Sequence, residues 1–96
     1  MKMPSFRVAH IREQGQQMII VPLNPEFGDL TEREQDDQHV LLQRAASSAG
    51  LAGTVTIVWV DRSGRFNFRA PVPWHPFFRS INVEHVHRNL NRQISW

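Results

Sequence analysis

The sequence contains no cysteine. That rules out a disulfide framework, a thiolate metal site and a cysteine nucleophile, and it is compatible with the cytosol without proving it. Long hydrophobic runs are missing too. The longest near the start, residues 18–23, is far too short to span a membrane. No apolar stretch follows Met1-Lys2-Met3-Pro4, so no secretory signal is expected. There is no low-complexity linker and no repeat in residue identities. The 96 residues fit one domain, residues 1–96, with a modest core that needs no staples. The expectation is a cytoplasmic domain with no membrane partner.

Lysine is scarce as well: ten of the eleven cations are arginine. The guanidinium fork suits phosphate, carboxylate and aromatic faces, although a genomic composition bias accounts for the same preference. The net charge is only +2, but it is unevenly spread. Residues 1–23 carry +2, residues 24–53 carry −4 and residues 54–96 carry +4. An acidic middle thus precedes a basic C-terminal part.

Residues 55–70 read as a β-hairpin around Asp61-Arg62-Ser63-Gly64. Pairing Val60 with Arg65 sets Trp59 opposite Phe66, Ile57 opposite Phe68 and Val55 opposite Ala70. Opposed residues share a face, because side chains alternate along a strand. One face is then Val55, Ile57, Trp59, Phe66, Phe68 and Ala70, wholly apolar. The other is Thr56, Val58, Val60, Arg65, Asn67 and Arg69. A two-residue turn at Ser63-Gly64 shifts the pairs but keeps these faces.

An earlier hairpin is expected from strands over residues 6–12 and 17–23, with Arg12 opposite Gln17 and a loop at residues 13–16. Phe6, Val8, His10, Ile19, Val21 and Leu23 then share one face, and Arg7, Ala9, Ile11, Met18, Ile20 and Pro22 the other. Residues 24–29 are rich in turn formers. A helix is predicted over residues 31–49, opened by a Thr31/Glu34 capping box and closed by Gly50, with Leu51 packing back. Its apolar face is Leu41, Leu42, Ala45, Ala46 and Ala49. Residues 71–76 should run extended, because proline fixes its own φ and restricts the residue before it. A last helix is expected from residue 82 or 83 to about residue 94, with Val83, Val86, Leu90 and Ile94 as its buried stripe. The fold class is α+β: ββαββα, a four-stranded, mainly antiparallel sheet with two helices packed on one face.

Two helices on one face leave the other open. That face would hold Ile11, Met18, Ile20, Val58 and Val60 beside several arginines. A solvated antiparallel face should be mostly polar, so this mixture favours an interface. The alternatives are that one hairpin twists away or that the C-terminal helix crosses to that side. Trp74, Phe77 and Phe78 form an aromatic cluster in a proline-stiffened segment. Phe77 and Phe78 are assigned to the core, whereas Trp74 is open between core and partner anchor, and Trp96 between docking on the domain and hanging free.

No pattern for chemistry stands out. His85 and His87 are two apart on a helix and do not face the same way. Residues 50–53 lead from helix to strand, the reverse of a phosphate-binding loop. The acids cluster where capping and solvation explain them. His10 is expected to satisfy itself on a backbone carbonyl. The sequence is therefore read as a non-enzymatic interaction domain with no cofactor and no metal. It would form a homodimer or bind another protein through the open sheet face and Trp74. The alternative is nucleic-acid binding through Arg62, Arg65, Asn67, Arg69, Arg88 and Arg92. The acidic helix opposes that, as do sheet aromatics turned toward the covered face, where no base can stack on them.

Overall fold

The computed structural model describes residues 5–95; the leader residues 1–4 and Trp96 lie outside them. Strands β1 (Ser5–Glu13) and β2 (Gln16–Pro22) form the first hairpin in the expected register, with Arg12 opposite Gln17 and His10 opposite Ile19. The turn is tighter than a four-residue loop, because Glu13 also pairs with Gln16. Gln14 and Gly15 have φ of 50° and 77°. Two consecutive positive values mark a type I′ turn, whose twist matches that of the strands it joins.

A 3₁₀ turn, Pro25–Asp29, leads into helix α1 (Glu32–Ser48). The expected capping box is present: Glu34 N–H donates to Thr31 Oγ1 at 3.2 Å, and Thr31 N–H donates to Glu34 Oε1 at 2.9 Å. At the other end Gly50 takes φ 80°, and Leu51 N–H donates to the Ala46 carbonyl at 3.0 Å. Of the expected apolar face, Leu42, Ala45 and Ala46 are buried, while Leu41 and Ala49 are exposed.

Helix α1 is a crossover. It returns the chain to β3 (Thr54–Val60), which runs parallel to β2 with Met18 opposite Thr54 and Pro22 opposite Val58. The sheet is mainly antiparallel as expected, but with this one parallel pairing it is mixed, and the expected four strands are corrected to five, in the order β4 (Phe66–Arg69), β3, β2, β1, β5 (Arg92–Ser95). Parallel neighbours need a long connection, which α1 supplies. The central pair is also apolar on both faces: Met18, Ile19, Ile20 and Val21 are buried, as are Val55, Ile57 and Val58.

The second hairpin joins β3 to β4 (Phe66–Arg69) with a register one residue from that expected. Val60 pairs with Phe66, Val58 with Phe68, Trp59 with Asn67 and Ile57 with Arg69. Asp61 N–H donates to the Arg65 carbonyl at 2.9 Å, leaving three residues in the loop, and Gly64 has φ 86°. A type I turn followed by a left-handed glycine adds an odd residue and so exchanges the faces of β4. Phe66 and Phe68 lie with Val58 and Val60; Asn67 and Arg69 lie with Trp59.

Two further expectations are corrected beyond β4. The segment after it is helical rather than extended: a 3₁₀ turn, Val72–Trp74, runs into helix α2 (His75–Arg79). Proline is tolerated in a first helical turn, where its missing N–H has no partner to lose. The last helix, α3 (Val83–Arg88), is short, and the chain ends in strand β5 (Arg92–Ser95), which pairs antiparallel with β1. Asn89 caps α3, its Nδ2 donating to the His85 carbonyl at 2.7 Å. Ile94 then joins the α1 side of the sheet instead of extending the Val86 stripe.

The sheet is covered on both faces, so the expected placement of both helices on one face is also corrected. On one side α1 packs Leu42, Ala45 and Ala46 over Val8, Ile19, Val21, Val55, Ile57 and Ile94. On the other, Phe78 of α2 and Val86 of α3 close over Ala9, Met18, Ile20 and Val58. Burying a side chain such as Ile20 or Phe78 is worth about 1.5–3 kcal/mol, which draws the second helical layer onto this face.

Candidate protein-binding site

Ile20 and Val58, taken from the sequence as interface residues, are fully buried, and Met18 is 3% exposed. Ile11 is half-buried against the same core, and Val60 is half-buried at the top of β3. The sheet-face interface expected from them is corrected: α2 and α3 of the same chain already occupy that face. Trp74 differs from the rest. It is half-buried, and it walls a surface cleft at the hairpin end of this layer.

The cleft follows from two local features. The first is the β1–β2 register, which places Glu13 and Gln16 on the same face as Ile11 and Met18, beyond the reach of α2. The second is the proline-rich segment. Pro73 and Pro76 stand in the first turns of the 3₁₀ turn and of α2, and Trp74 N–H donates to the Pro71 carbonyl at 2.9 Å. His75 fastens the segment to the sheet: its Nε2 lies 2.9 Å from the Ala70 carbonyl, and its ring meets Phe68 edge-on at 5.1 Å. Phe78 is fully buried, stacked on Phe68 at 5.4 Å and edge-on to Phe77 at 5.3 Å. Trp74 therefore projects from a backbone held at both ends.

The cleft has a volume of about 290 Å³. Pro73, Trp74, Pro76 and Phe77 form one side, and Glu13, Gln14, Gln16 and Met18 the other. Val72, next in the chain to the lining residue Pro73, is 74% exposed. Among the described residues Glu13 is the one charged side chain in the lining, and none of them pairs with its carboxylate. The sequence singled out Trp74. It missed the prolines as lining residues and Glu13, Gln14 and Gln16 altogether, because it takes residues 13–16 as a loop and not as part of the strands.

The arginine set does not assemble into one surface. Arg62 donates to Asp29 Oδ2 from Nη2 at 2.6 Å and from Nε at 3.1 Å, and that carboxylate raises the guanidinium pKa. Arg69 Nη2 reaches Asp36 Oδ1 on α1 at 3.2 Å, and Arg88 stands 3.8 Å from Glu84. Asn67 is engaged by Asp61 and by the Arg65 carbonyl. Arg65 and Arg92 are exposed, but they belong to opposite edges of the sheet. Arg62, Arg69 and Arg88 thus each face a carboxylate, and the set is divided between the two edges of the sheet.

Three of the five histidines, His10, His39 and His75, bond backbone carbonyls. His10 Nε2 lies 2.8 Å from the Ala52 carbonyl, as expected, and His39 Nε2 lies 2.7 Å from that of Val55. Among the described residues no helix is long and apolar enough to cross a membrane. No protein-family model, curated protein or solved structure matches this chain.

Proposed function

We propose that this domain is a protein-binding module that acts by association rather than by chemistry, with Trp74 as its anchor. The observation that carries the reading is the cleft itself: two prolines and two aromatic side chains on a pinned segment, facing a hairpin across about 290 Å³. A rigid aromatic loses little conformational entropy on binding, and the prolines limit what the backbone can lose. The exposed Val72 alongside adds apolar area at a place where a solvated surface would favour polar residues. An extended segment of another protein, seated between Trp74 and the β1–β2 turn, fits these dimensions.

A selection experiment tests this without naming a partner. Peptides are selected from a random display library on the wild-type domain and counter-selected on Trp74→Ala. The expected result is a recurring peptide pattern that binds the wild type and is lost in the variant, whose unfolding transition stays cooperative. Selection that yields no Trp74-dependent pattern overturns the reading.

A further inference from the structure

We infer that the cleft beside Trp74 takes an arginine side chain of the partner segment, an inference that rests on the protein-binding reading above. Elsewhere in the fold three described carboxylates have cationic partners: Asp29 with Arg62, Asp36 with Arg69 and Glu84 with Arg88. Glu13 has none, although the chain holds ten arginines, and the residue is half-buried in a lining of aromatic and proline side chains. A carboxylate beside apolar side chains gains more from a cation than one in open water does. The site is thus negative, apolar-walled and unfilled by its own chain.

The lining selects arginine over lysine. Pro76, Phe77 and Met18 suit an aliphatic stem, and the Trp74 ring suits a flat cation stacked on it. Gln14 and Gln16 flank Glu13, and neither side chain is engaged elsewhere among the described residues. Their two amide oxygens add to the two of the carboxylate. A guanidinium presents five N–H donors in one plane and can meet several such acceptors at once, whereas an ammonium is a compact point charge.

The experiment uses the Trp74-dependent peptides from the selection above, synthesised with blocked termini, and measures affinity by calorimetry. The expected pattern contains an invariant arginine. Replacing it with lysine, or changing Glu13→Gln in the domain, should weaken binding by at least about tenfold, the factor that 1.4 kcal/mol represents. Binding to the wild type should also weaken with added salt more steeply than binding to Glu13→Gln. A Trp74-dependent pattern without arginine, or one indifferent to Glu13→Gln, overturns this inference and leaves the protein-binding reading standing. The absence of any Trp74-dependent peptide removes both.

Discussion

Asp61 holds the second hairpin turn with both carboxylate oxygens. Oδ1 accepts from the Ser63 and Arg65 N–H groups at 2.9 and 3.0 Å and from the Ser63 hydroxyl at 2.5 Å, while Oδ2 accepts from Asn67 Nδ2 at 2.9 Å. These bonds, led by that from the Ser63 hydroxyl, then the Arg65 N–H and Asn67, favour the charged form and lower its pKa to about 2. Because the folded value lies below the ordinary 3.8, the stabilisation is fully present above that value and is lost as pH falls toward about 2. The Arg65 amide proton should therefore titrate by NMR with a midpoint near 2. In Asp61→Ala that transition should disappear and the melting temperature should fall. Thr56 presents the opposite case. It is fully buried, and its hydroxyl has no hydrogen-bond partner among the described residues. Thr56→Val should raise the unfolding free energy by about 1 kcal/mol in urea, since it replaces an unsatisfied polar atom with a methyl group of similar size.

At the scale of elements, two glycines with positive φ serve different purposes. Gly50 ends α1 with open space around it, so Gly50→Ala should cost only the backbone strain, about 1 kcal/mol. Gly53 has φ 127°, and a Cβ there would lie 2.6 Å from the Gln17 carbonyl oxygen of β2. Gly53→Ala should destabilise clearly more than Gly50→Ala by denaturant titration, because the contact is with backbone that cannot swing aside. Elements whose signals are local were legible from sequence: the α1 capping box, its glycine stop, and the first hairpin register. The second hairpin was read one residue out. Asp61 and Gly64 fit both an even and an odd loop, and only the Asp61–Arg65 pairing separates the two. The candidate site was legible through Trp74 alone. Its other wall comes from a hairpin some sixty residues earlier in the chain, brought near by folding of the sheet.

For the whole molecule, the decisive feature is that one sheet serves two cores. Substituting a buried residue of the central strands should therefore attack stability rather than association. Ile20→Asp and Val58→Asp each place a carboxylate at a fully buried position beneath α2 and α3. Each should abolish the cooperative thermal transition seen by circular dichroism, whatever the protein concentration. A folded variant with altered mass on a size-exclusion column would instead return this face to the role of an interface. Charge is also organised at this scale. The acids of the middle segment do not oppose a basic face: Asp29 and Asp36 draw Arg62 and Arg69 of the basic C-terminal part into ion pairs across the fold.

The sequence by itself determined what depends on neighbours along the chain. That covers the crossover helix and its ends, the apolar runs that became strands, the first hairpin with its faces, and the likeness of His10 to a carbonyl-bound core residue. Tertiary structure decided what depends on distant partners. The parallel pairing of β2 with β3 required α1 to carry the chain back across the sheet. The formation of a strand at residues 92–95, where a helix is expected from the sequence, required the free edge of β1. The closure of the second face required α2 and α3 to return over Ile20 and Val58. Propensity and spacing measure interactions within a few residues, whereas these three outcomes were chosen by burying apolar surface and by pairing backbone hydrogen bonds between segments far apart in sequence.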